Sequence, residues 1–551
     1  MSEKKQKNPL EEFCMPMMKD WVPESIRPWL YVLEIFCVQF TSGIYLGALD
    51  CIRGTTNFMI EDVLFLLYAG LAGMAIYFPM LFRMKFRFTN QQLLCGAAIT
   101  IAVCNLITMH CTSMPLLMVV CFIAGMAKLQ ATFENVSIIQ LWFAPKRDMS
   151  IFFPILHIFL LTSIEGSGFL AAWFGYHYTW QMMHIFTVGT MCYILFVQLV
   201  FCRPFCPMPH RVPLKGLDLP SGILISILML MVSYIMVYGD YLMWMDNTNL
   251  RLLACGSLIL FALIILRLRS VQQPYINLRI FTYKNVIPIL VTCAMGELLL
   301  GCEHTLEEIL YCAVIELEEL EKEEQFLWSL PGIYIGVIIT LLWLWIKKWK
   351  VWRLFAFAFG CISVYAIMMY FTLDINVNIE QYRLAIVFRG IALAIMGATL
   401  MWSLHESIHD LTEFFMGLFI FNIFHMYLAG AAGYGIYTTL FSHFLTDNMS
   451  RYGVNLTLTH LDMAHFDFGS YIGNDFLHSM MMVSLKQVYG IVIWTALFTC
   501  LAFLLLDIPA VRTNVVKLQN LNLPDYGKKV VSRIVHRRHG HKQTEVAVPQ
   551  L

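Results

Sequence analysis

The sequence predicts an all-α, polytopic membrane protein. Of its 551 residues, 59% are hydrophobic and only 13% are charged, whereas soluble proteins have roughly 45–50% apolar and 25% charged residues. Apolar stretches of about 20 residues recur along the chain, and each is long enough to cross a ~30 Å hydrocarbon core as a helix. Strands with open edges would leave backbone groups unpaired in lipid, so we expect helices.

Fourteen such stretches follow one another in the sequence. They are 28–48, 63–82, 91–110, 114–142, 151–174, 179–202, 220–240, 250–267, 285–313, 326–346, 352–373, 381–404, 411–440 and 486–507. The remaining chain is predicted to form a cytoplasmic N-terminal segment at 1–27, a long extracytoplasmic loop at 441–485 and a basic cytoplasmic tail at 508–551.

The distribution of Lys and Arg sets the orientation of these spans. If the N-terminus lies inside, the inner segments include basic clusters at 83–87, 267–284 and 347–353. The outer loops then hold little more than five basic residues: Arg53, Arg251, Lys322, Arg383 and Arg451. Cytoplasmic loops carry an excess of Lys and Arg in membrane proteins. Both termini are therefore predicted to be cytoplasmic, in a multi-pass protein of the cell (inner) membrane.

Several classes of function are disfavoured by the sequence. The formal net charge is zero, so no basic field indicates nucleic-acid binding. The chain has no phosphate-binding Gly-rich loop, no recognisable nucleophile–base pair and no metal-ligand spacing. We therefore expect no enzyme activity, no cofactor and no metal site.

Four ionisable residues fall at one level within the predicted spans. Converted to depth at ~1.5 Å per residue, Lys128, Glu165, Glu297 and Arg389 lie roughly 18–22 Å from the cytoplasmic face. Ionisable groups at this depth usually face the interior of a helix bundle. An ion-pair lattice, with Lys128 bonded to Glu165, would explain them structurally. A polar midplane cavity in which glutamates carry protons would explain them functionally.

Other residues complete the set of candidates. Glu297 is the first choice as a proton carrier on the C-terminal side, because it has no obvious partner in its own helix. Glu34 and Glu134, roughly 9 and 12 Å deep, are the choices on the N-terminal side, beside Glu165. Asn422 and His425 are candidates for lining the cavity, with a structural, hydrogen-bonded histidine as the alternative.

An acidic run, ELEELEKEE, occupies 316–324 between the ninth and tenth predicted spans. It is interpreted as a solvated helix end outside the membrane. The alternative is an acidic funnel that concentrates cations at the mouth of a pathway. The histidines in the last long loop have no compact metal-binding spacing.

Several motifs together resemble the major facilitator superfamily, and within it the fourteen-helix drug:proton antiporters of the EmrB/QacA type. The loop FPMLFRMKFRFTNQQ at 78–92 has the position of the superfamily's basic gating loop and keeps Arg83, Lys85 and Arg87. The other matching segments are APKRDMS at 144–150, GSGFLAAWFGYHYTWQMMH at 166–184, LRLRSVQQPYINLRIF at 266–281 and FLWSLPGIYIG at 326–336.

The resemblance implies a major facilitator fold with six-helix bundles at 28–202 and 285–507 and two inserted helices at 220–267. It implies alternating access around a midplane site, with Gly43, Gly47, Gly70 and Gly73 allowing helices to approach closely. The implied activity is proton-coupled export of drugs or amphiphilic small molecules. In a cell with two membranes, the implied partners are an EmrA-like periplasmic adaptor and a TolC-like outer-membrane channel.

The sequence also departs from the family pattern. Cys121 stands where the fourth span usually has an arginine, and Lys128 lies two turns further along the same face. The usual acidic residue of the first span is absent, and Glu34 lies nearer the cytoplasm. Uptake of a specific solute, or a degenerate transporter acting as a receptor or scaffold, therefore remain alternatives.

Overall fold

The computed structural model describes residues 18–41, 47–144, 148–204, 218–283, 285–374, 378–408, 410–455 and 471–505. Within these ranges the regular structure is helical, and Met18 and Cys202 form an isolated antiparallel β-bridge. The predicted N-terminal segment 1–27 is described only from Met18, and the predicted tail 508–551 lies outside the described residues.

In its described residues, the N-terminal half comprises seven helices. They are α1 (Arg27–Gln39), α2 (Leu49–Thr55), α3 (Ile60–Lys85), α4 (Asn90–His110), α5 (Met114–Phe143), α6 (Met149–His177) and α7 (Gln181–Val200). Two further helices follow, α8 (Leu219–Tyr238) and α9 (Thr248–Ser270). Prolines at the first turns of α1, α5 and α8 suit positions where the backbone N–H has no helical partner.

The described part of the C-terminal half contains eight more helices. They are α10 (Val286–Leu300), α11 (Glu319–Phe326), α12 (Ser329–Leu341), α13 (Val351–Thr372), α14 (Arg383–Ser407), α15 (Leu411–Phe424), α16 (Gly433–Asn455) and α17 (Tyr471–Leu505). Short π-helical segments continue three of them: Glu303–Glu307 and Ile309–Val314 after α10, Leu342–Ile346 after α12, and His425–Ala432 after α15.

Twelve helices in the described part of the chain are long and apolar enough to cross a membrane. They coincide with twelve of the predicted spans, so the chain is a multi-pass membrane protein. The other two predicted spans, 28–48 and 411–440, match the shorter apolar helices α1 and α15. The prediction of fourteen crossings is therefore not confirmed. Within the predicted loop 441–485, α16 continues to Asn455 and α17 begins at Tyr471, and the extracytoplasmic position of this segment stays a prediction.

The same packing pattern occurs in both halves. Helix α3 packs along α5 in the first half, and α12 packs along α14 in the second. The halves meet where α6 packs against α12 and α14, and where α3 packs against α15. Inserted helix α8 lies on α3, and α9 packs on α8 with most of its surface exposed. An apolar exposed face of this kind suits contact with lipid.

Glycines set the closest approaches in each half. A Cβ at Gly125 would lie 1.9 Å from the Gly70 oxygen, so α3 and α5 touch through their backbones. A Cβ at Gly390 would lie 2.3 Å from the Ser329 oxygen, which gives α12 and α14 the same contact. Small residues at membrane helix interfaces permit such packing. Of the glycines expected to allow close approach, Gly43 lies outside the described residues.

We expect Gly390→Val to destabilise the protein, because the new side chain would collide with backbone that cannot move aside. Overpacking of this kind costs about 3 kcal/mol, and the melting temperature in detergent should fall by several degrees. Gly189→Val is the matched control, since a Cβ there meets nothing within 4 Å. Equal melting temperatures for both variants would contradict the described contact.

An ion pair joins the inserted helices at one end. Arg267 of α9 donates to Asp218, which precedes α8, at 2.8 Å. Ser221 donates its hydroxyl to the same carboxylate. Burial alone would raise the pKa of Asp218, but the bonds from Ser221 and Arg267 outweigh it and lower the pKa below its ordinary value.

A lowered carboxyl pKa stabilises the folded protein only where the group is ionised. We expect Asp218→Asn to lower the free energy of unfolding by about 1 kcal/mol at pH 7. The effect is small because Arg267 is partly exposed to solvent. This loss should be constant above the unfolded pKa of about 3.9 and shrink as the pH falls through the lower folded pKa. Thermal unfolding at pH 7 and below pH 4 measures it, with exposed Asp246→Asn as control.

Candidate functional site

The four residues predicted near the midplane are divided between the halves. Lys128 lies on α5 and Glu165 on α6, whereas Glu297 lies on α10 and Arg389 on α14. Lys128, Glu297 and Arg389 are buried and Glu165 is half-buried. Buried ionisable groups in a membrane protein need polar partners, so their contacts define the candidate site.

Glu297 is paired with His425. The Nδ1 atom of His425 lies 2.7 Å from Oε1 of Glu297, whose side chain is only 3% exposed. His425 is half-buried, and its ring stacks on Phe421 one turn earlier. The sequence singled out both residues, and the fold brings them together because the π segment after α15 packs against α10. Two titratable groups in contact can share or exchange a proton.

Asn422 does not form a described hydrogen bond to this pair. Its amide donates to the backbone oxygen of Leu418 at 2.8 Å, within its own helix, and its side chain is buried. Its predicted role in lining the cavity stays a prediction. The described contact instead satisfies a buried amide locally.

Arg389 pairs with a glutamate that sequence analysis missed. Its guanidinium donates to Glu307, and Tyr365 donates to the other oxygen of the same carboxylate at 2.5 Å. Glu307 and Arg389 are almost completely buried, and the Phe326 ring lies 5.6 Å from the guanidinium carbon. Removing one partner of such a buried guanidinium–carboxylate pair would leave an uncompensated charge, so each of the two charges depends on the other.

Two π-helical segments coincide with these pairs. Glu307 ends the segment Glu303–Glu307, and His425 begins the segment His425–Ala432. A π segment inserts an extra residue into a helical turn, so it rotates the following side chains relative to a regular helix, and such segments are frequent at functional sites. The sequence signal for Glu307 was its charge within the predicted span 285–313, but the regular helical rise did not give its partner.

The N-terminal candidates have separate partners. Lys85, from the predicted gating loop, lies 3.2 Å from Glu134 and donates to Ser137 at 2.6 Å. Gln130 also donates to Glu134, at 3.2 Å, and receives a bond from Tyr77. This network connects the C-terminal end of α3 to α5, and each carboxylate oxygen of Glu134 has one described bond.

The other basic residues of the predicted gating loop lie nearby. Arg87 lies over the Phe88 ring at 5.7 Å, and Arg83 is half-buried. Glu34 is completely buried and accepts two hydrogen bonds from Gln198 of α7, at 2.9 and 3.1 Å. Lys128 donates to the Gln39 backbone oxygen at 3.4 Å. Its predicted pairing with Glu165 stays a prediction.

The acidic run 316–324, interpreted as a solvated helix end, is solvated only in part. Lys322 and Glu323 are buried, because α11 packs against α6 of the other half. Lys322 donates to Glu308 at 2.7 Å. Glu321 and Glu324 do face solvent. A helix pattern places residues 319, 322 and 323 on the buried side of α11, and the high density of charge concealed that pattern.

Solved structures with a similar backbone are membrane transporters. A mutant of the peptide transporter POT has a TM-score of 0.56 and 11% identity, covering 90% of this chain and 97% of that one. The same transporter with sulfate has a TM-score of 0.54 and 12% identity, covering 86% of this chain and 94% of that one. The human organic anion transporter MFSD10 has a TM-score of 0.52 and 10% identity, covering 86% of this chain and 100% of that one.

At 10–12% identity the comparison shows a fold shared with these transporters. This agrees with the fold that the major facilitator resemblance implied, but it does not extend to the EmrB/QacA antiporters. The similar structures are described as transporters of peptides and of organic anions. Neither protein-family models nor curated proteins give a match to the sequence.

Proposed function

We propose that this protein is a secondary active transporter that exports amphiphilic small molecules, including drugs, in exchange for protons. The observation that carries the proposal is the contact between Glu297 and His425 at 2.7 Å. A carboxylate and an imidazole in a membrane interior are costly to maintain unless they have a function. Proton uptake by this pair changes its net charge by one, and that change can favour one conformation over the other.

The way the halves meet supports alternating access. Contacts between them run through α6, α12 and α14 on one side and through α3 and α15 on the other. In transporters built from internal repeats, two such halves rock about a site near the midplane. The Glu297–His425 pair lies on α10 and beside α15, so a shift of the C-terminal half would change its surroundings. Protons and substrate then compete for, or bind successively to, the same region.

The proposed substrate class rests on the apolar lining available. The chain has 34 Met and 41 Phe, and Phe133 of the N-terminal half meets Phe415 of the C-terminal half edge to face at 5.3 Å. Flexible and aromatic side chains suit varied apolar ligands. An EmrA-like adaptor and a TolC-like channel belong to this proposal for a cell with two membranes, as does residence in the inner membrane.

A second candidate is transport of one specific polar solute, with uptake as the direction. The buried cation Lys128 favours it, because it provides positive charge for an anionic or zwitterionic group, whereas Arg389 is already paired with Glu307. Two of the similar structures are described as transporters of peptides and of organic anions. A degenerate receptor or scaffold is the third candidate and predicts no net transport.

Purified protein in liposomes with an imposed pH gradient separates these candidates. The probes are ethidium, dialanine and fluorescein, each followed with the gradient in both directions. Movement of ethidium against its gradient and opposite to protons supports the proposal. Movement of only dialanine or fluorescein contradicts drug export and supports the second candidate. Absence of pH-driven movement for all three contradicts proton-coupled transport.

A further inference from the structure

Helix α11 of the C-terminal half caps a helix of the N-terminal half. Glu319 accepts hydrogen bonds from the backbone N–H groups of Asp50, at 2.8 Å, and Cys51, at 3.2 Å. These are the second and third residues of α2, whose N-cap residue, Ala48, provides no side-chain acceptor. The first N–H groups of a helix lack internal partners. A carboxylate from the opposite half therefore does what an N-cap side chain normally does.

A second carboxylate reinforces this contact one turn later. Glu323 lies on the same face of α11 as Glu319 and is buried. Its Oε2 lies 2.6 Å from the position that a Cβ would take at Gly168 of α6. Only glycine allows the carboxylate to approach so closely. Two acidic side chains of one short helix thus press against two helices of the other half, at the end that the Lys and Arg distribution assigns to the outside.

The surroundings of these carboxylates combine both signs of charge. The charged and titratable groups that influence them are Asp50 and Cys51 from α2, Lys322 from α11 itself, and Glu308 and Arg389 from the rest of the C-terminal half. Lys322 is bonded to Glu308 rather than to Glu319 or Glu323. One lysine thus stands among several acids, so this contact region is sensitive to the addition of protons.

We propose that Glu319 and Glu323 form a proton-operated gate that closes the outer side of the transporter. When ionised, Glu319 accepts from both N–H groups of α2. When protonated, one of its oxygens carries a hydrogen and can no longer accept both bonds, so the cap weakens and the halves separate. Outer protons thereby open the route to the Glu297–His425 pair. The inference rests on the proposed function and the predicted orientation, and it adds a titratable site distinct from that pair.

The gate is tested by labelling Cys51 in the full-length protein in liposomes with a membrane-impermeant maleimide. Peptide-resolved mass spectrometry gives the rate, which is divided by that of free cysteine at the same pH. For the unsubstituted protein we expect roughly a fivefold rise between outer pH 7.5 and pH 5, as expected for loss of one capping carboxylate. In Glu319→Gln, the labelling of Cys51 should be fast at both pH values. Glu321→Gln, exposed on the same helix, should behave like the unsubstituted protein.

A second variant opens the gate without removing an acid. Gly168→Ala places a methyl group against the Glu323 carboxylate, so α11 is displaced and the labelling of Cys51 should accelerate at pH 7.5. Monodisperse elution confirms that each variant is folded. An unchanged rate in folded Glu319→Gln, or a flat pH response in the unsubstituted protein, overturns the proposal. Labelling needs no substrate, so a failed transport assay with an intact labelling response contradicts only the proposed function.

Discussion

Glu297→Gln is expected to abolish ethidium accumulation driven by a pH gradient in liposomes. The amide keeps the shape of the carboxyl group but cannot release a proton, so the pair with His425 loses its charge change. Exchange of ethidium across the membrane without a gradient should continue, because that process needs the conformational change and not net proton movement. Driven accumulation should fall at least tenfold, a change that corresponds to about 1.4 kcal/mol in the coupling free energy.

The control for this result is Glu380→Gln, which removes an exposed carboxylate at the start of α14. That variant should accumulate ethidium at the rate of the unsubstituted protein. If Glu297→Gln retains driven accumulation, Glu297 does not carry the coupled proton. If it also loses exchange while remaining folded, its role lies in the conformational change and not in coupling.

Arg389→Met is expected to destabilise the protein more than Gly390→Val or Asp218→Asn. It leaves the Glu307 carboxylate buried with only Tyr365 as a described bonding partner, and breaking a buried ion pair in this way costs about 3–5 kcal/mol. Thermal unfolding in detergent should show a large fall in melting temperature. Addition of Glu307→Gln should recover most of the loss, because the double variant buries no uncompensated charge.

The double-mutant comparison distinguishes a paired charge from independent contributions. If the two effects add, Arg389 and Glu307 do not act as a unit and the described ion pair is wrong. If the single arginine variant is as stable as the unsubstituted protein, the guanidinium is not buried. Recovery in the double variant identifies Arg389 and Glu307 as a structural ion pair.

Twelve of the predicted spans could be recognised from sequence because their signal is local. A stretch of apolar residues long enough to cross lipid has few alternatives. The assignment of Lys and Arg clusters to the inner loops stays a prediction, as does the depth of Arg389 and Glu297 from counting residues at a fixed rise. The span at 411–440 was harder to recognise from sequence, because α15 continues into a π segment at His425 and then into α16.

The partners of the buried charges could not be deduced in the same way. Depth says nothing about the direction in which a side chain points, and the π segments near Glu307 and His425 rotate helices by amounts that sequence does not specify. Arg389 therefore pairs with Glu307, a residue that the sequence analysis did not name. The burial of Lys322 and Glu323 depends on contact with α6 of the other half, which is a tertiary effect that overrides the polar character of the segment.

Distances between spin labels test most directly whether the two halves rock about a titratable site. One label pair replaces Arg53 and Glu321 at the predicted outer end, and another replaces Arg203 and Arg353 at the inner end; all four positions are exposed. Between pH 7.5 and pH 5 we expect the outer distance to lengthen by several ångströms while the inner distance shortens. Distances that stay constant at both ends, or that change in the same sense, would contradict alternating access controlled by protons.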